Sequence, residues 1–431
     1  MDLNRNNTIT NRESLMKNIL LAIFFIASLN AQDHKKMFDP NSIYNDRENF
    51  SVSFFSSKNT EFDKNYNLYN KIPFRTIAVN PRLILPGSVL FIPELVGTKL
   101  PNGVYHDGYF FAHALIAGTQ NRSIKLFIEA NEPNPFIQEY PKDIRVFSVL
   151  GTMAKSLRLR YKFQYTNEKI KPTYKMVAAE FTDLMQYGNK KYSSVNERIQ
   201  KYSELGKGTP YLIYNLGEGA GSQIDPDPTI DFARTDCMTF CEHTLALAIS
   251  DNYPEMYDNL QKIRYNNGEI SYTSRNHFTI ADWLPNNDWL LDDVTLKVGQ
   301  GFTSKMNKTI DRPQFYKNNG VSDKEIKLAS QKEKFSVDYI PTKNLLAIQN
   351  NLKGGEIVSI VTTNPVVISA HMGIIIRDQW DNVIFRHASS SQKTNEVMDE
   401  RFEDVVNNLK NSKSRVGMIF MQVKEDYQRP Q

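Results

Sequence analysis

The chain has 431 residues, of which 40% are hydrophobic and 23% are charged, a composition typical of globular proteins. Its 52 basic and 48 acidic side chains give a net charge of +4, which is too small to predict a nucleic-acid partner. With 2 cysteines the chain cannot form a disulfide framework, and its length allows two domains.

The N-terminal residues show the pattern of a secretory signal peptide. Met16 and Lys17 lie just before the uncharged apolar run "ILLAIFFIASL" (19–29), and the small residue Ala31 precedes the polar "QDHKK". The run is too short for a comfortable membrane span. We therefore predict a signal peptide over 1–31, translation from Met16, and a protein that is periplasmic or secreted. An uncleaved N-terminal anchor is the alternative.

The next two segments differ in their periodicity. Residues 32–75 are rich in Asn, Asp and Ser, and we predict a polar lead-in without regular structure there. Residues 76–165 contain runs typical of strands, such as "RLILPGSVLFIPEL" and "SIKLFIEA", with Gly and Pro at the breaks. They predict a small β-rich N-terminal domain.

The rest of the chain changes from helical to strand patterns. The runs "TYKMVAAEFTDLMQYG" and "SVNERIQKYSELGKG" and residues 237–250 predict three helices. Four later runs predict strands: "GGEIVSIVTT", "PVVISAHMGIIIRD", "NVIFRHAS" and "RVGMIFMQV". The fold class we predict for 170–425 is α+β, with helices packed on an antiparallel sheet.

Both cysteines lie in the third predicted helix. Asp236 is a good N-cap, so Cys237 occupies the first turn, where backbone N–H groups and the helix dipole favour a thiolate. Cys241 lies one turn further along and is predicted to be a small core residue. Residues spaced four apart on a rigid helix hold their sulfurs in poor disulfide geometry. Cys237 is thus the candidate nucleophile, and a merely buried thiol is the alternative.

A metal site at the cysteines is disfavoured by geometry. His243 follows closely in sequence, but it projects from another side of the helix than Cys241. No second Cys/His pair has zinc-ligand spacing. We expect neither a metal nor another cofactor.

A nucleophilic cysteine needs a base and a group that orients the base. His371 and His387 each lie in a strand-like run, and "IIIRDQWDN" between them predicts a hairpin with its turn at 378–382. Adjacent antiparallel strands can place the two imidazoles side by side, one facing the thiol and the other orienting it. The alternative is that both are simple surface residues.

The motifs occur in a familiar order. "GTPY" (208–211), "DCMTF" (236–240), "HMGIII" (371–376) and "HAS" (387–389) resemble the NlpC/P60 papain-like cell-wall hydrolases. The chain is more closely similar to the DUF1460 family of N-acetylmuramoyl-L-alanine amidase-like proteins. That similarity is carried by "DCMTFCE" (236–242), "IRY" (263–265), "SRNHFTIADWLPNN" (274–287) and "YIP" (339–341). The resemblance covers about 170–425.

The resemblance implies a role for each matched residue. Cys237 is the expected nucleophile, His371 the general base and acid, and His387 the group that orients His371, while backbone N–H groups at the helix start hold the oxyanion. The hairpin is longer than in typical members, so Ser389, on the same strand face, is the alternative third member.

The resemblance also implies a substrate cleft. Tyr211, Asp236, Arg275 and Trp283 are the residues expected to line it. Two alternatives stay open, because Trp283 can be a core residue and Arg275 can pair with a structural carboxylate such as Asp282.

The implied function is hydrolysis of peptidoglycan or muropeptide fragments, by a cysteine amidase that cuts between N-acetylmuramic acid and L-alanine. A γ-D-glutamyl-diamino acid endopeptidase is the alternative within the superfamily, and a non-catalytic peptidoglycan-binding protein is the alternative outside the enzymes. We expect no nucleic-acid partner, and no membrane partner after signal cleavage.

In the N-terminal domain, "LPGSVLFIP", "HDGYFFA" and "SIKLFI" resemble the double-psi β-barrel with three aspartates found in lytic transglycosylases. Ala114 and Lys125 stand where two of those aspartates belong. The resemblance implies a degenerate barrel that lacks this catalytic function and instead positions substrate or packs on the hydrolase.

Overall fold

The computed structural model describes residues 44–56, 70–116, 121–137, 143–161, 171–329, 331–391 and 394–427. The chain divides into two compact units, with the boundary between Asn167 and Glu168. The predicted signal peptide over 1–31 lies outside the described residues. Among the residues described, no helix has the length and apolar character needed to cross a membrane.

The first unit is a closed six-stranded barrel in the order β1-β5-β2-β4-β3-β6. Its strands, and the helix α1 that follows them, are β1 Tyr44–Ser56, β2 Thr76–Val79, β3 Val89–Phe91, β4 Tyr109–Leu115, β5 Ser123–Ile128, β6 Asp143–Val149 and α1 Gly151–Arg160. Apolar side chains such as Ile77, Phe110 and Leu126 are fully buried in this unit. These buried side chains form the hydrophobic core of the barrel unit, and β2 and β3 are buried along their whole length.

Strand β1 lies inside the segment that we predicted to be irregular, so that prediction is wrong for residues 44–56. Phe50 and Phe55 are buried, whereas most other side chains of β1 are polar and partly or fully exposed. Hydrogen-bonded ladders to β5 on one side and β6 on the other hold the strand. Pairing with distant strands, rather than hydrophobic alternation, therefore determines its structure.

Ala114 and Lys125 both lie beside Ala78 in the barrel, on β4 and β5 respectively. Ala114 is buried and Lys125 is partly exposed. The resemblance of this unit to a double-psi barrel remains a prediction.

The second unit begins with helices. They are α2 Ala178–Lys191, α3 Val195–Leu205, α4 Cys237–Ala248, α5 Tyr253–Arg264, α6 Leu284–Asn286, α7 Thr295–Gly299, α8 Arg312–Asn318, α9 Asp323–Ala329 and α10 Phe402–Lys410. Every residue of α4 from Thr239 onward is buried, so α4 is the central helix of this unit. It ends near the predicted residue 250 and packs against α3, α5, β11 and β12.

An antiparallel sheet in the order β13-β12-β11-β10-β14-β9-β8 forms the second half of this unit, and β7 also pairs with β14. The strands are β7 Leu291–Asp293, β8 Ser304–Asp311, β9 Lys332–Pro341, β10 Ile357–Thr362, β11 Ser369–Arg377, β12 Val383–Ala388, β13 Val397–Arg401 and β14 Arg415–Val423. The predicted α+β class is confirmed, whereas the papain-like NlpC/P60 fold remains a prediction.

The four strands predicted from sequence are β10, β11, β12 and β14, which are mostly buried. Four further strands, β7, β8, β9 and β13, were not predicted, and they are short or rich in charged and partly exposed residues. Strands of this kind carry little hydrophobic pattern, and their pairing partners decide their structure.

Candidate active site

Cys237 is the first residue of α4, and Asp236 caps this helix as predicted. The Oδ1 atom of Asp236 accepts hydrogen bonds from the backbone N–H groups of Met238 (3.0 Å) and Thr239 (2.8 Å). In return, Oγ1 of Thr239 accepts from the N–H of Asp236 at 2.9 Å. This capping box fixes the backbone that carries the thiol. It also occupies two of the first-turn N–H groups that were expected to hold an oxyanion.

The "GTPY" segment lies between the start of α4 and the strand β13. The N–H of Tyr211 donates to the carbonyl of Asn395 at 2.9 Å, and the N–H of Leu212 donates to the carbonyl of Thr235 at 2.9 Å. The N–H of Gly208 likewise donates to the carbonyl of Val397, which begins β13. The segment therefore connects the start of α4 to β13 at the edge of the sheet.

The thiol environment differs from the sequence prediction. Burial, and secondarily the Asp236 carboxylate, raise the pKa of Cys237 to about 12, although backbone N–H groups of Met372, Cys237 and Met238 act to lower it. The prediction of a lowered pKa is thus wrong, because desolvation of the sulfur outweighs the helix terminus. Cys241 is fully buried, as predicted, while Cys237 is partly exposed.

The structure brings His371 and His387 together. Nε2 of His371 lies 2.8 Å from Nδ1 of His387, on the adjacent antiparallel strands β11 and β12. The predicted hairpin turn is present, with the N–H of Asp378 donating to the carbonyl of Asn382 at 3.2 Å. The pairing of β10 with β11 shifts register next to His371, a local irregularity that is common beside active sites.

A carboxylate that the sequence analysis missed extends this pair. Nε2 of His387 lies 2.9 Å from Oε1 of Glu400, which is on β13. Along β13, Met398 pairs with His387 and Glu400 pairs with Phe385, so Glu400 lies diagonally across from His387. The only signal in the sequence is the alternation in "VMDER", which is too polar and short to predict a strand.

The alternative third member, Ser389, is engaged elsewhere. Its buried hydroxyl hydrogen-bonds to the hydroxyl of Thr394. The side chain that contacts His371 is therefore the His387 imidazole and not the Ser389 hydroxyl.

His371 is an uncharged imidazole at neutral pH. Burial lowers its pKa well below the ordinary value, and the nearby His387 and Arg415 lower it further. The Cys237 thiol and the His371 imidazole are therefore both uncharged in the resting protein.

Trp283 was expected in the substrate cleft, and this prediction is wrong. The side chain is fully buried, and its indole N–H donates to Oε1 of Glu242 at 3.1 Å. Nε of Arg264 lies 3.5 Å from the other oxygen of Glu242. Trp283 is thus a core residue, which was the stated alternative, and it satisfies a buried carboxylate.

Arg275 pairs with carboxylates other than the one expected. Its Nε donates to Oε1 of Glu218 at 2.6 Å, and its Nη2 donates to Oδ2 of Asp225 at 2.8 Å. Asp282 instead accepts from Nε of Arg312 at 2.8 Å. A substrate contact by Arg275 remains a prediction.

The third expected cleft residue, Tyr211, lies next to the thiol. Burial raises its pKa, and the neighbouring Cys237 and Asp236 raise it further, so its hydroxyl keeps its proton. The three residues after it form an exposed apolar patch, and Tyr214 is 71% exposed. The backbone of Tyr214 has a φ of 56°, and its N–H donates to Oδ2 of Asp236 at 3.3 Å. Tyr214 was not among the site residues predicted from the sequence.

Among the residues that the structure describes, no group of three or more His, Cys, Asp or Glu side chains is arranged to hold a metal ion.

Comparisons with known proteins address the same region. Residues 201–414 match the AmiA-like family model, described as N-acetylmuramoyl-L-alanine amidase-like. The chain is similar to the structure of a Legionella pneumophila protein of the DUF1460 family, with 25% identity and a TM-score of 0.51 over 57% of this chain and 94% of that one. An N-acetylmuramoyl-L-alanine amidase from Bacteroides uniformis has 27% identity and a TM-score of 0.44 over 54% of this chain and 99% of that one.

No match was found among the curated proteins. The family match lies wholly within the second unit, and the wider NlpC/P60 assignment remains a prediction. The family model and the Legionella structure together support the N-acetylmuramoyl-L-alanine amidase-like family for residues 201–414.

Proposed function

We propose that the second unit is a cysteine amidase that cleaves the bond between N-acetylmuramic acid and L-alanine in peptidoglycan. One observation carries the proposal: His371 contacts His387 at 2.8 Å on the strand whose residue Met372 has its backbone N–H at the Cys237 sulfur. A nucleophile, a base and an orienting group are the three parts that such a reaction needs. The family match supplies the substrate class.

In the proposed mechanism, Sγ of Cys237 attacks the lactyl carbonyl carbon as its proton moves to His371. The tetrahedral intermediate collapses when His371 returns this proton to the nitrogen of L-alanine and the C–N bond breaks. Water then attacks the thioester, with His371 accepting a proton from it. His371 returns this proton to the sulfur as the C–S bond breaks, which releases the carboxylic acid and the free thiol.

Two donors are available for the negative oxygen of the intermediate. The N–H of Cys237 lies at the sulfur, whereas those of Met238 and Thr239 donate to Asp236. We assign the second donor to the hydroxyl of Tyr211, which retains its proton beside the thiol. Two donors aimed at one oxygen are the usual composition of an oxyanion hole.

The exposed patch formed by Leu212, Ile213 and Tyr214 is the proposed substrate platform. An aromatic ring that is 71% exposed and attached to a strained backbone is costly for stability, and such features cluster at functional sites. The bond from Tyr214 to Asp236 connects the platform to the cap of α4. Asp236 would therefore act on substrate through this loop.

The test is digestion of purified peptidoglycan and muropeptides, followed by mass spectrometry. Intact stem peptide beginning with L-alanine, together with the free lactyl sugar, is the expected product. An L-Ala-D-Glu fragment would instead identify the γ-D-glutamyl-diamino acid endopeptidase. Binding without any product would identify a non-catalytic binding protein.

The matched variants are Cys237→Ala and Cys241→Ala. The first should abolish turnover with the fold intact, whereas the second should retain activity and lose about 1 kcal/mol of stability from packing. Full activity of Cys237→Ala would refute the cysteine mechanism.

The proposed location is the periplasm or the cell exterior, where peptidoglycan is accessible. It rests on the family match and on the signal peptide predicted over 1–31. N-terminal sequencing of the mature protein from culture fractions should find a terminus near Gln32. A mature chain that retains residues 16–31 would contradict cleavage.

A further inference from the structure

The side chains of His371, His387 and Glu400 contact one another in series across the neighbouring strands β11, β12 and β13. Nε2 of His387 lies 2.9 Å from Oε1 of Glu400, and Nδ1 of the same ring lies 2.8 Å from Nε2 of His371. The His387 and Glu400 side chains are only 9% and 18% exposed, so little water competes for these contacts. Both nitrogens of His387 are therefore assigned to protein partners.

The direction of each hydrogen bond follows from the chemistry of the carboxylate. An ionised carboxylate only accepts, so the proton at this contact must lie on Nε2 of His387. In the neutral form of His387 this is its one N–H, so Nδ1 of that form is an acceptor. Nε2 of His371 must then donate to it. The remaining nitrogen of His371, Nδ1, holds the free lone pair.

We propose that Glu400 is a positioning residue that sets the tautomers of both histidines and thereby makes Nδ1 of His371 the base for Cys237. The inference rests on the proposed role of His371. When the thiol proton moves to Nδ1, the imidazolium that forms is stabilised by the negative charge of Glu400 across His387. No proton needs to leave the carboxylate or enter it.

Other charged groups near His371 also change how favourable a proton on its imidazole is. It is faced by His387 from β12 and by Arg415 from β14, while Cys237 and Asp236 lie at the start of α4. Arg415 disfavours an imidazolium at His371, and Glu400 is the carboxylate at the other end of the histidine pair. The Asp236 carboxylate acts on the thiol and disfavours the thiolate.

The strands hold Glu400 firmly in this position. On the opposite face, Nε of Arg386 donates to Oδ1 of Asp399 at 2.6 Å, and Nη1 of Arg386 donates to Oγ of Ser203 on α3 at 3.0 Å. These bonds hold the backbone of β12 against β13, and so fix the position from which the Glu400 side chain reaches His387.

The experiment compares the intact protein with Glu400→Gln and with Glu403→Gln as the matched control. Glu403 pairs with Arg401 at 3.2 Å and is mostly exposed, so its replacement removes a nearby charge outside the line of contacts. Nitrogen-15 NMR of the histidine rings reports the tautomers. The pH profile of Cys237 alkylation by iodoacetamide reports thiol activation without any peptidoglycan.

We expect Nε2–H tautomers for His371 and His387 in the wild type and in Glu403→Gln. In Glu400→Gln the amide can donate as well as accept, so the Nδ1–H form of His387 should become populated. The alkylation profile should move up by about one pH unit, a tenfold slower reaction at pH 7.

An unchanged profile and unchanged tautomers in Glu400→Gln would overturn the proposal. If that variant does not fold, the wild-type spectrum alone decides, because a dominant Nδ1–H tautomer of His387 contradicts the assignment. Failure of the wild type to cleave peptidoglycan would remove the proposed function but would leave these two measurements interpretable.

Discussion

Nε2 of His371 lies 2.8 Å from Nδ1 of His387, and this contact joins β11 to β12 at the candidate site. The two rings are nearly perpendicular, with centroids 4.9 Å apart. Phe385 stacks on His387 at 4.9 Å, so the second ring is held by packing as well as by hydrogen bonds. His371, the proposed base for Cys237, therefore has a partner that is itself held in one orientation.

Replacing His387 with Ala should lower muropeptide hydrolysis on the order of 10²-fold or more, because His371 loses the partner that orients it. Ser389→Ala is the matched control two residues further on, and its activity should stay within about twofold because its hydroxyl contacts Thr394. Product release is followed by mass spectrometry. Equal losses in the two variants would show that the strand, and not the imidazole, matters.

Replacing Asp236 with Asn should speed alkylation of Cys237 at neutral pH. The carboxylate raises the pKa of the thiol, so removing its charge lowers this pKa, while Asn still caps the helix. Asp227→Asn, at an exposed loop position, is the control for loss of one negative charge. A slower or unchanged reaction in Asp236→Asn would contradict the assigned effect of this carboxylate.

Gly373 in "HMGIII" makes room for an aromatic ring. A Cβ atom at this position would lie 2.5 Å from Cζ of Phe385 and 2.8 Å from the carbonyl oxygen of Arg386. We expect Gly373→Ala to cost about 1–3 kcal/mol in the free energy of unfolding and to reduce activity through the displaced ring.

Gly221 is the matched control for this change, because a Cβ there meets nothing within 4 Å. Adding Phe385→Leu to Gly373→Ala should restore part of the lost stability, since it removes one of the two clashes. Denaturant unfolding measures both effects. A Gly373→Ala protein as stable as Gly221→Ala would show that the ring is free to move.

We expect the ionisation of Glu242 to lower the free energy of unfolding as the pH rises. Burial raises the pKa of this carboxyl from 4.5 to about 7, so between these values the folded state holds a proton that the unfolded state has released. Raising the pH across this window therefore favours unfolding. In Glu242→Gln this contribution is absent, and the side-chain oxygen can still accept from Trp283.

Urea unfolding of both proteins at pH 5 and pH 7 measures the difference. The free energy of unfolding of Glu242→Gln, relative to the wild type, should increase between the two values. Parallel profiles would mean that Glu242 ionises equally in the folded and unfolded states.

Substitutions of Tyr214 should change muropeptide binding and the free energy of unfolding independently of each other. Gly is the residue that adopts its φ of 56° without strain, so Tyr214→Gly should gain about 1 kcal/mol of stability, whereas Tyr214→Ala should not. Both variants lose the exposed ring and should raise KM for muropeptides with little effect on kcat. An unchanged KM would exclude Tyr214 from the substrate platform.

Several features could be predicted from the sequence because they depend on neighbours in the chain. Asp236 caps α4 through N–H groups two and three residues away, so the placement of Cys237 followed from local rules. The hairpin between His371 and His387 follows from two apolar runs and a polar turn. The motif order predicts that these residues share one site.

Other features depend on residues far apart in sequence. The buried indole N–H of Trp283 donates to Glu242, which lies 41 residues away in the chain. Glu400 reaches His387 because the polar strand β13 pairs with β12 at the edge of the sheet. The pKa of Cys237 rises through desolvation, which depends on every group packed around the sulfur. Local sequence rules thus determined where Cys237, the proposed nucleophile, lies. Only tertiary packing decided its protonation state and its full set of partners, because burial and strand pairing add contributions from the whole unit.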